Sequence, residues 1–168
     1  MKRTYLLRLL LPLCILISAG VAAQSGKEDK KKAKQEQLKT EIDARQFTFN
    51  AQSATSARGR TRQLTGSNTL VVHGDSLDAY LPYFGRAYSA TPGDTNGGIN
   101  FNSTSFSYDA QDAKNGGWTI NIKPKDEKNV NNMQLSISED GYAILQVTSN
   151  NRQMISFYGQ ISRNSKNK

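Results

Sequence analysis

The chain has 168 residues, a formal net charge of +8, one cysteine (Cys14) and one histidine (His73). Because Cys14 lies in the apolar start of the chain, the remaining sequence cannot hold a disulfide framework, a thiol nucleophile or a thiolate metal site. A single histidine also excludes any metal site that needs two imidazoles.

Residues 1–23 have the pattern of a secretory signal peptide. Lys2, Arg3 and Arg8 give a positive start, residues 9–17 are apolar, and Val21-Ala22-Ala23 supplies the small residues that precede a cleavage site. The apolar run is too short and too interrupted for a membrane span, which needs about 20 apolar residues. We therefore expect cleavage before Gln24, no transmembrane span afterwards, and export to the periplasm or cell envelope, with secretion as an alternative.

Cys14 raises the possibility of a lipid anchor. Lipoprotein processing requires a small residue before the cysteine, whereas Leu13 precedes it here, so an ordinary apolar residue is the preferred interpretation.

Cleavage removes three of the 22 basic residues and none of the 14 acidic ones, which leaves a net charge of +5. That charge suits an anionic surface such as lipid headgroups or acidic polysaccharide. An exported protein rarely meets nucleic acid, so we predict no nucleic-acid partner.

Residues 24–45 form a charged segment that is predicted to be a frayed tether followed by a short helix from Lys34 to Ala44. Its apolar side consists of Ala33, Leu38 and Ile42. The favoured interpretation is that Leu38 and Ile42 dock on the domain that follows, because runs of mixed charge are usually solvated. The alternative is a basic spacer that touches an anionic surface.

From Gln46 the pattern changes to alternating apolar and polar residues, which is typical of strands with one buried face. Turn residues separate eight such runs: "FTFNA", "TLVVH", "SLDAYL", "STSFSY", "WTINIK", "MQLSIS", "YAILQVT" and "MISFYGQI". The pattern predicts an all-β fold over residues 46–168: one antiparallel sandwich or small, partly open barrel of about eight strands, preceded by the short N-terminal helix.

Three dipeptides predict hairpin turns. Gly74-Asp75 suits a two-residue turn with glycine first, and Asp140-Gly141 suits the type with two positive φ values. Asn150-Asn151 offers a third turn.

Three segments resemble a family of exported Bacteroidetes proteins known only as a domain of unknown function, number 4251: "RGRTRQLTGSNTLVVHGDSLDAYLPYFGRAYSA", "GGWTINIKP" and "LSISEDGYAILQVTSNNRQMISFYGQI". The resemblance runs from about Ile42 to Ile161. It implies a Bacteroidetes source, an envelope location and a β-rich fold. The resemblance implies no activity and no functional residues.

Catalytic chemistry has few candidate residues. His73 ends the run "TLVVH" just before a tight turn, where a half-exposed strand residue is a better interpretation than a general base. The aspartates lack the spacing of a calcium loop, and no helix pattern follows the glycine-rich residues 93–98. We therefore predict no catalytic residue, no metal site and no cofactor.

The stretch "YLPYFGRAYSA", residues 80–90, concentrates aromatic rings around a proline and a glycine. Pro82 cannot donate to a sheet and Gly85 permits a bend, so the chain is expected to leave its strand there and turn across the end of the domain. Phe84 is then the residue expected to fill the end of the core. The alternative is a binding surface, whose candidate residues are Tyr80, Tyr83, Phe84, Arg86 and Tyr88.

Two further surface features stand out. Arg58, Arg60 and Arg62 alternate, so an extended chain places their guanidinium groups on one side as a candidate anion-binding stripe. The favoured interpretation is a charged edge strand that blocks sheet association.

The triplet Asp75-Ser76-Leu77 is similar to the pattern on which Bacteroidetes attach O-glycans, which makes Ser76 a candidate glycosylation site. The favoured alternative is turn chemistry alone, with Asp75 in the hairpin turn and Leu77 in the core.

These features favour a non-enzymatic, exported β-domain that binds or scaffolds an envelope component, whether protein, glycan or lipid. The alternative is a carrier of a small apolar ligand, with the aromatic rings lining the mouth of a partly open barrel. An envelope hydrolase is a distant third.

Overall fold

The protein is described here as a computed structural model that covers residues 28–86, 88, 97–114 and 116–164. The predicted signal peptide, its cleavage before Gln24 and the interpretation of Cys14 lie outside these residues. The chain divides into two compact units after Gln37. In the first unit the described residues, 28–37, are helical.

Residues 28–43 are helical, so the helix reaches residue 28 instead of beginning at Lys34, and the predicted frayed tether is wrong for residues 28–33. In the second unit, Leu38 and Ile42 are 5% and 0% exposed, which confirms that they dock on the domain. Arg45, with a φ of 54°, turns the chain out of the helix. Within the described residues, no helix combines the length and the apolar character that a membrane span needs.

Ten strands lie in the described residues of the second unit. Their bounds are β1 (Gln46–Ser56), β2 (Thr61–Gln63), β3 (Thr69–His73), β4 (Ser76–Leu81), β5 (Ile99–Ser103), β6 (Phe106–Asp112), β7 (Trp118–Pro124), β8 (Val130–Ile137), β9 (Tyr142–Ser149) and β10 (Ile155–Arg163).

The strands form one antiparallel sheet in the order β5-β4-β3-β1-β10-β9-β8-β7-β6, with β2 also paired to β1. Along one side of β1, its first half pairs with β3 and its second half with β2, while β10 runs along the other side. The two edge strands, β5 and β6, are consecutive and separated only by Thr104 and Ser105. The sheet must therefore curve until its edges approach each other, which makes it a nearly closed barrel. The all-β prediction is confirmed.

The strand count exceeds the predicted eight for two physical reasons. β2 is exposed at all three of its residues, so it has no apolar alternation to detect. The run "STSFSY" is not one strand, because the chain bends between Ser103 and Phe106. The Asp126 carboxylate holds this bend by accepting hydrogen bonds from the Ser103 hydroxyl and, at 3.2 Å, from the Thr104 N–H.

The turns agree only in part with prediction. Gly74 has a φ of 60° and joins β3 to β4 as a two-residue turn, as expected. At the β8–β9 turn only Gly141 has a positive φ, 83°, so the expected turn type is wrong. The Gly141 N–H bonds the Ser138 carbonyl and the Ser138 N–H bonds the Tyr142 carbonyl, which is a three-residue loop with a glycine bulge. The third connection, residues 150–154, has five residues rather than two.

Side chains fill the interior of the barrel. The alternating apolar residues of β7 and β8, from Trp118 to Ile137, point inward as predicted, and Phe47, Phe49 and Phe157 are fully buried. Burial of each such side chain contributes roughly 1.5–3 kcal/mol to stability. Among the described residues, the interior is therefore a packed core.

Candidate functional site

The hairpin between β1 and β2 positions the three alternating arginines. Arg62 pairs with Ala54, which is 2% exposed and faces inward, whereas the neighbouring Thr55 and Thr61 face outward with their hydroxyls 2.9 Å apart. Because cross-strand partners share a face, the side chain of Arg62 lies on the inner side of the sheet, at the end of β1 remote from the helix.

The chain leaves β4 at Leu81, directly before Pro82, as the proline predicted. Residues 82–86, here called the corner segment, then cross towards the β9–β10 loop. The Tyr83 hydroxyl lies 2.9 Å from the carbonyl oxygens of both Arg86 and Gln153, and the Gln153 N–H donates to the Arg86 carbonyl at 3.1 Å. Burial raises the pKa of Tyr83 above its usual value, so the hydroxyl is a donor at neutral pH.

Gly85 allows Tyr83 to reach these carbonyls. A Cβ atom at position 85 would lie 2.3 Å from the Tyr83 hydroxyl oxygen and 2.5 Å from the adjacent ring carbon. Any larger residue would displace the ring. The glycine predicted from sequence as a bend is therefore also required for close packing.

These elements enclose a cavity of about 310 Å³, here called the arginine cavity. Three segments line it, and its described lining residues are Ser56, Arg58, Arg60, Arg62, Phe84, Gly85, Arg86 and Gln153. All three arginines of the predicted stripe therefore meet Phe84 and Arg86, two of the five residues predicted as a binding surface.

Four guanidinium groups and no carboxylate are present among the described lining residues. The Arg62 guanidinium lies 4.8 Å from the centre of the Phe84 ring, a cation–π contact that orients both groups. Behind the lining, Arg152 lies over the Tyr83 ring and donates to the carbonyls of Gly97 and Gly98 at 3.0 and 2.9 Å. The cavity is thus strongly positive and has one aromatic wall.

The predicted aromatic surface is divided by the fold. Tyr83 and Phe84 are half-buried against the core, so Phe84 is a partial plug that also faces the arginine cavity. Tyr80 and Tyr88 are 61% and 70% exposed, and Tyr80 lines a separate shallow cavity of about 270 Å³ beside Pro82.

The remaining candidate residues lie elsewhere. His73 is exposed at the end of β3, and Ser76, the first residue of β4, is half-buried with its hydroxyl 3.4 Å from the Asp78 carboxylate. Across the ranges that the structure describes, no three His, Cys, Asp or Glu residues come together as a metal site. Sequence reasoning missed Ser56 and Gln153 in the cavity, since neither residue type carries a distinctive pattern.

Comparison with known proteins agrees with this architecture. The family described as "Domain of unknown function (DUF4251)" matches residues 29–161. The chain belongs to the DUF4251 family. A crystal structure of a DUF4251 family protein from Bacteroides eggerthii is similar, with a TM-score of 0.58 and 15% identity over 78% of this chain and 88% of that one. At that identity the likeness shows the shared fold. No curated protein matches the chain.

Proposed function

We propose that this DUF4251 domain is a non-enzymatic binding protein that holds an anionic ligand in the arginine cavity. The observation that carries the proposal is the convergence of Arg58, Arg60, Arg62 and Arg86 on one concavity whose described lining contains no carboxylate. None of the four forms an ion pair with another described residue. Their positive charge is therefore available to a ligand.

Binding is a better interpretation than catalysis because the described lining offers no general base. Ser56 is its only hydroxyl, and no histidine, lysine or carboxylate lines the cavity beside it. Nucleophilic catalysis requires such a neighbour to activate the hydroxyl.

An anionic ligand also fits better than the apolar cargo considered from sequence. The barrel interior is occupied by buried side chains, and the described lining of the arginine cavity has one aromatic residue against four arginines. An uncharged apolar ligand would bury these cations without giving them a partner, which is unfavourable.

The exported location remains part of the proposal. The signal-like residues 1–23 support it, and the structural neighbour comes from a Bacteroides, which supports a Bacteroidetes source. The ligand would then be an anionic envelope component. Intact-mass measurement of the protein from a Bacteroidetes host is expected to give a chain that begins at Gln24 without an acyl group; a mass that includes residues 1–23 or a lipid would contradict this.

The same measurement tests glycosylation of Ser76. If Ser76 carries an O-glycan, the protein from that host exceeds its sequence mass and the Ser76→Ala variant does not. Masses that differ only by the lost oxygen would rule the modification out.

Anion binding is tested by comparing two variants that lose the same charge. Arg60→Gln combined with Arg62→Gln removes two cations from the cavity, and Lys123→Gln combined with Lys125→Gln removes two exposed cations from the region of β7. The probe is an immobilised sulfated polysaccharide, heparin, eluted with a salt gradient, because added salt shortens the distance over which exposed charges attract each other, to about 10 Å at 0.1 M. We expect the arginine variant to elute at clearly lower salt than the lysine variant; equal elution would contradict the proposal.

A further inference from the structure

The arginine cavity concentrates more positive charge than a single carboxylate can neutralise. One guanidinium already forms a complete two-pronged pair with a carboxylate. Four arginines line about 310 Å³ here, so a monovalent anion would leave most of their positive charge unneutralised. Neutralisation of that charge requires two or more negative charges in a compact group.

The geometry of the lining favours a compact anion over a chain of separated charges. Arg58, Arg60 and Arg62 come from one hairpin and Arg86 from the corner segment opposite, so donors approach from two sides. A phosphate monoester carries up to two charges and three terminal acceptor oxygens at one atom. A sulfate ester has a similar shape but one charge.

The Phe84 ring adds an apolar wall next to the cations. The Arg62 guanidinium lies over this ring, 4.8 Å from its centre, and Phe84 lines the cavity beside Gly85, which presents no side chain. A ligand that places its phosphate among the arginines can therefore rest a ring or an alkyl portion against Phe84.

We propose, building on the anion-binding function above, that the ligand of the arginine cavity is a phosphate monoester or diphosphate group carried on an apolar or ring-shaped body. A phosphorylated lipid headgroup and a soluble phosphorylated sugar share this chemistry.

The pH dependence of binding identifies the phosphate group, because the described lining residues contribute almost nothing to that dependence. The described lining consists of arginine, serine, glutamine, phenylalanine and glycine. It contains no histidine, the side chain whose usual pKa lies between pH 5 and 8. Next to the lining, Arg152 lies over Tyr83, and burial raises the pKa of Tyr83 above its usual value. A change of affinity in this range must therefore come from the ligand, and a phosphate monoester loses its second proton near pH 6.

The experiment is calorimetric titration with three probes that share one ring: phenyl phosphate, phenyl sulfate and benzoate. We expect phenyl phosphate to bind about tenfold more tightly at about pH 7.5 than at about pH 5, following its dianion fraction, while the other two probes show no such rise. Arg60→Gln is expected to remove most of the advantage of phenyl phosphate, whereas Lys123→Gln is expected to keep it.

The outcomes separate this inference from the proposed function. If all three probes bind the cavity equally at about pH 7.5, with a flat pH profile, the phosphate inference is wrong and anion binding stands. If none of the three binds, the phosphate inference is wrong, and the heparin comparison decides whether anion binding stands. Sedimentation with phosphatidylcholine vesicles that contain phosphatidic acid distinguishes a lipid headgroup from a soluble phosphate ester. Capture of the protein by the vesicles, abolished by Arg60→Gln, supports a lipid headgroup. Phenyl phosphate binding without capture by the vesicles supports a soluble phosphate ester.

Discussion

Removal of the Tyr83 hydroxyl tests how the two sides of the arginine cavity are held together. This hydroxyl is 2.9 Å from the carbonyls of Arg86 in the corner segment and Gln153 in the β9–β10 loop. Tyr83→Phe keeps the half-buried ring and removes only the donor. A typical hydrogen bond contributes about 0.5–1.5 kcal/mol, and the Arg86 carbonyl keeps the Gln153 N–H as a second donor. We therefore expect a loss of about 1 kcal/mol.

For a domain of this size, that loss lowers the melting temperature by about 3–6 °C, which circular dichroism measures directly. Tyr80→Phe is the matched control, because Tyr80 is 61% exposed and no hydrogen bond of its hydroxyl is seen among the described residues. Phenyl phosphate affinity should also fall severalfold in Tyr83→Phe, since Arg86 and Gln153 line the cavity.

The sign of the pH dependence follows from the raised pKa of Tyr83. A tyrosine whose pKa is raised by folding contributes stability that is complete below the unfolded-state pKa of about 10 and is lost as pH rises towards the folded-state value. The difference between wild type and Tyr83→Phe should therefore shrink in alkali. Equal melting temperatures and equal affinities for Tyr83→Phe and Tyr80→Phe at neutral pH would refute the reasoning.

Three further predictions concern the barrel. Gly159→Ala places a Cβ 2.0 Å from the Asn50 carbonyl oxygen, so urea unfolding should show a loss of about 3 kcal/mol, at the upper end for overpacking; a loss below 1 kcal/mol would contradict this. The Ser103 hydroxyl holds the pKa of Asp126 below its usual range, and Ser103→Ala should raise that pKa in a carboxyl NMR titration, whereas an unchanged value would disprove the bond's role. Burial raises the pKa of Tyr108, so wild type should lose stability above about pH 10 more steeply than Tyr108→Phe; parallel profiles in urea unfolding would count against it.

Much of the barrel follows from local pattern. The alternation in β7 and β8 places apolar side chains inside because one face of each strand is buried, and Gly74 and Pro82 mark chain reversals through their own backbone preferences. The basic segment from Arg58 to Arg62 suggests a charged edge strand, and β2 is a strand that is exposed along its whole length. Pairing with β1, rather than burial, makes this segment a strand.

The candidate site was predictable only in pieces. The sequence groups Arg58, Arg60 and Arg62, but Arg58 lies in the β1–β2 turn and only Arg62 lies in a strand. The hairpin turn, and not the predicted alternation in one extended segment, brings the three to one cavity. Their meeting with the corner segment depends on contacts distant in sequence, such as the Tyr83 hydrogen bond to a residue 70 positions away. No local pattern encodes that distance, so the aromatic and basic features looked unrelated in the sequence.

The most direct test of the arginine cavity is an NMR titration of arginine side-chain Nε–Hε groups with phenyl phosphate at neutral pH. We expect saturable shifts for Arg58, Arg60, Arg62 and Arg86, with one common dissociation constant, and little change for Arg45, whose guanidinium lies over Tyr108 near the helix. If the signals of these four arginines do not shift, or shift no more than the signal of Arg45, the assignment of this cavity as a binding site is contradicted.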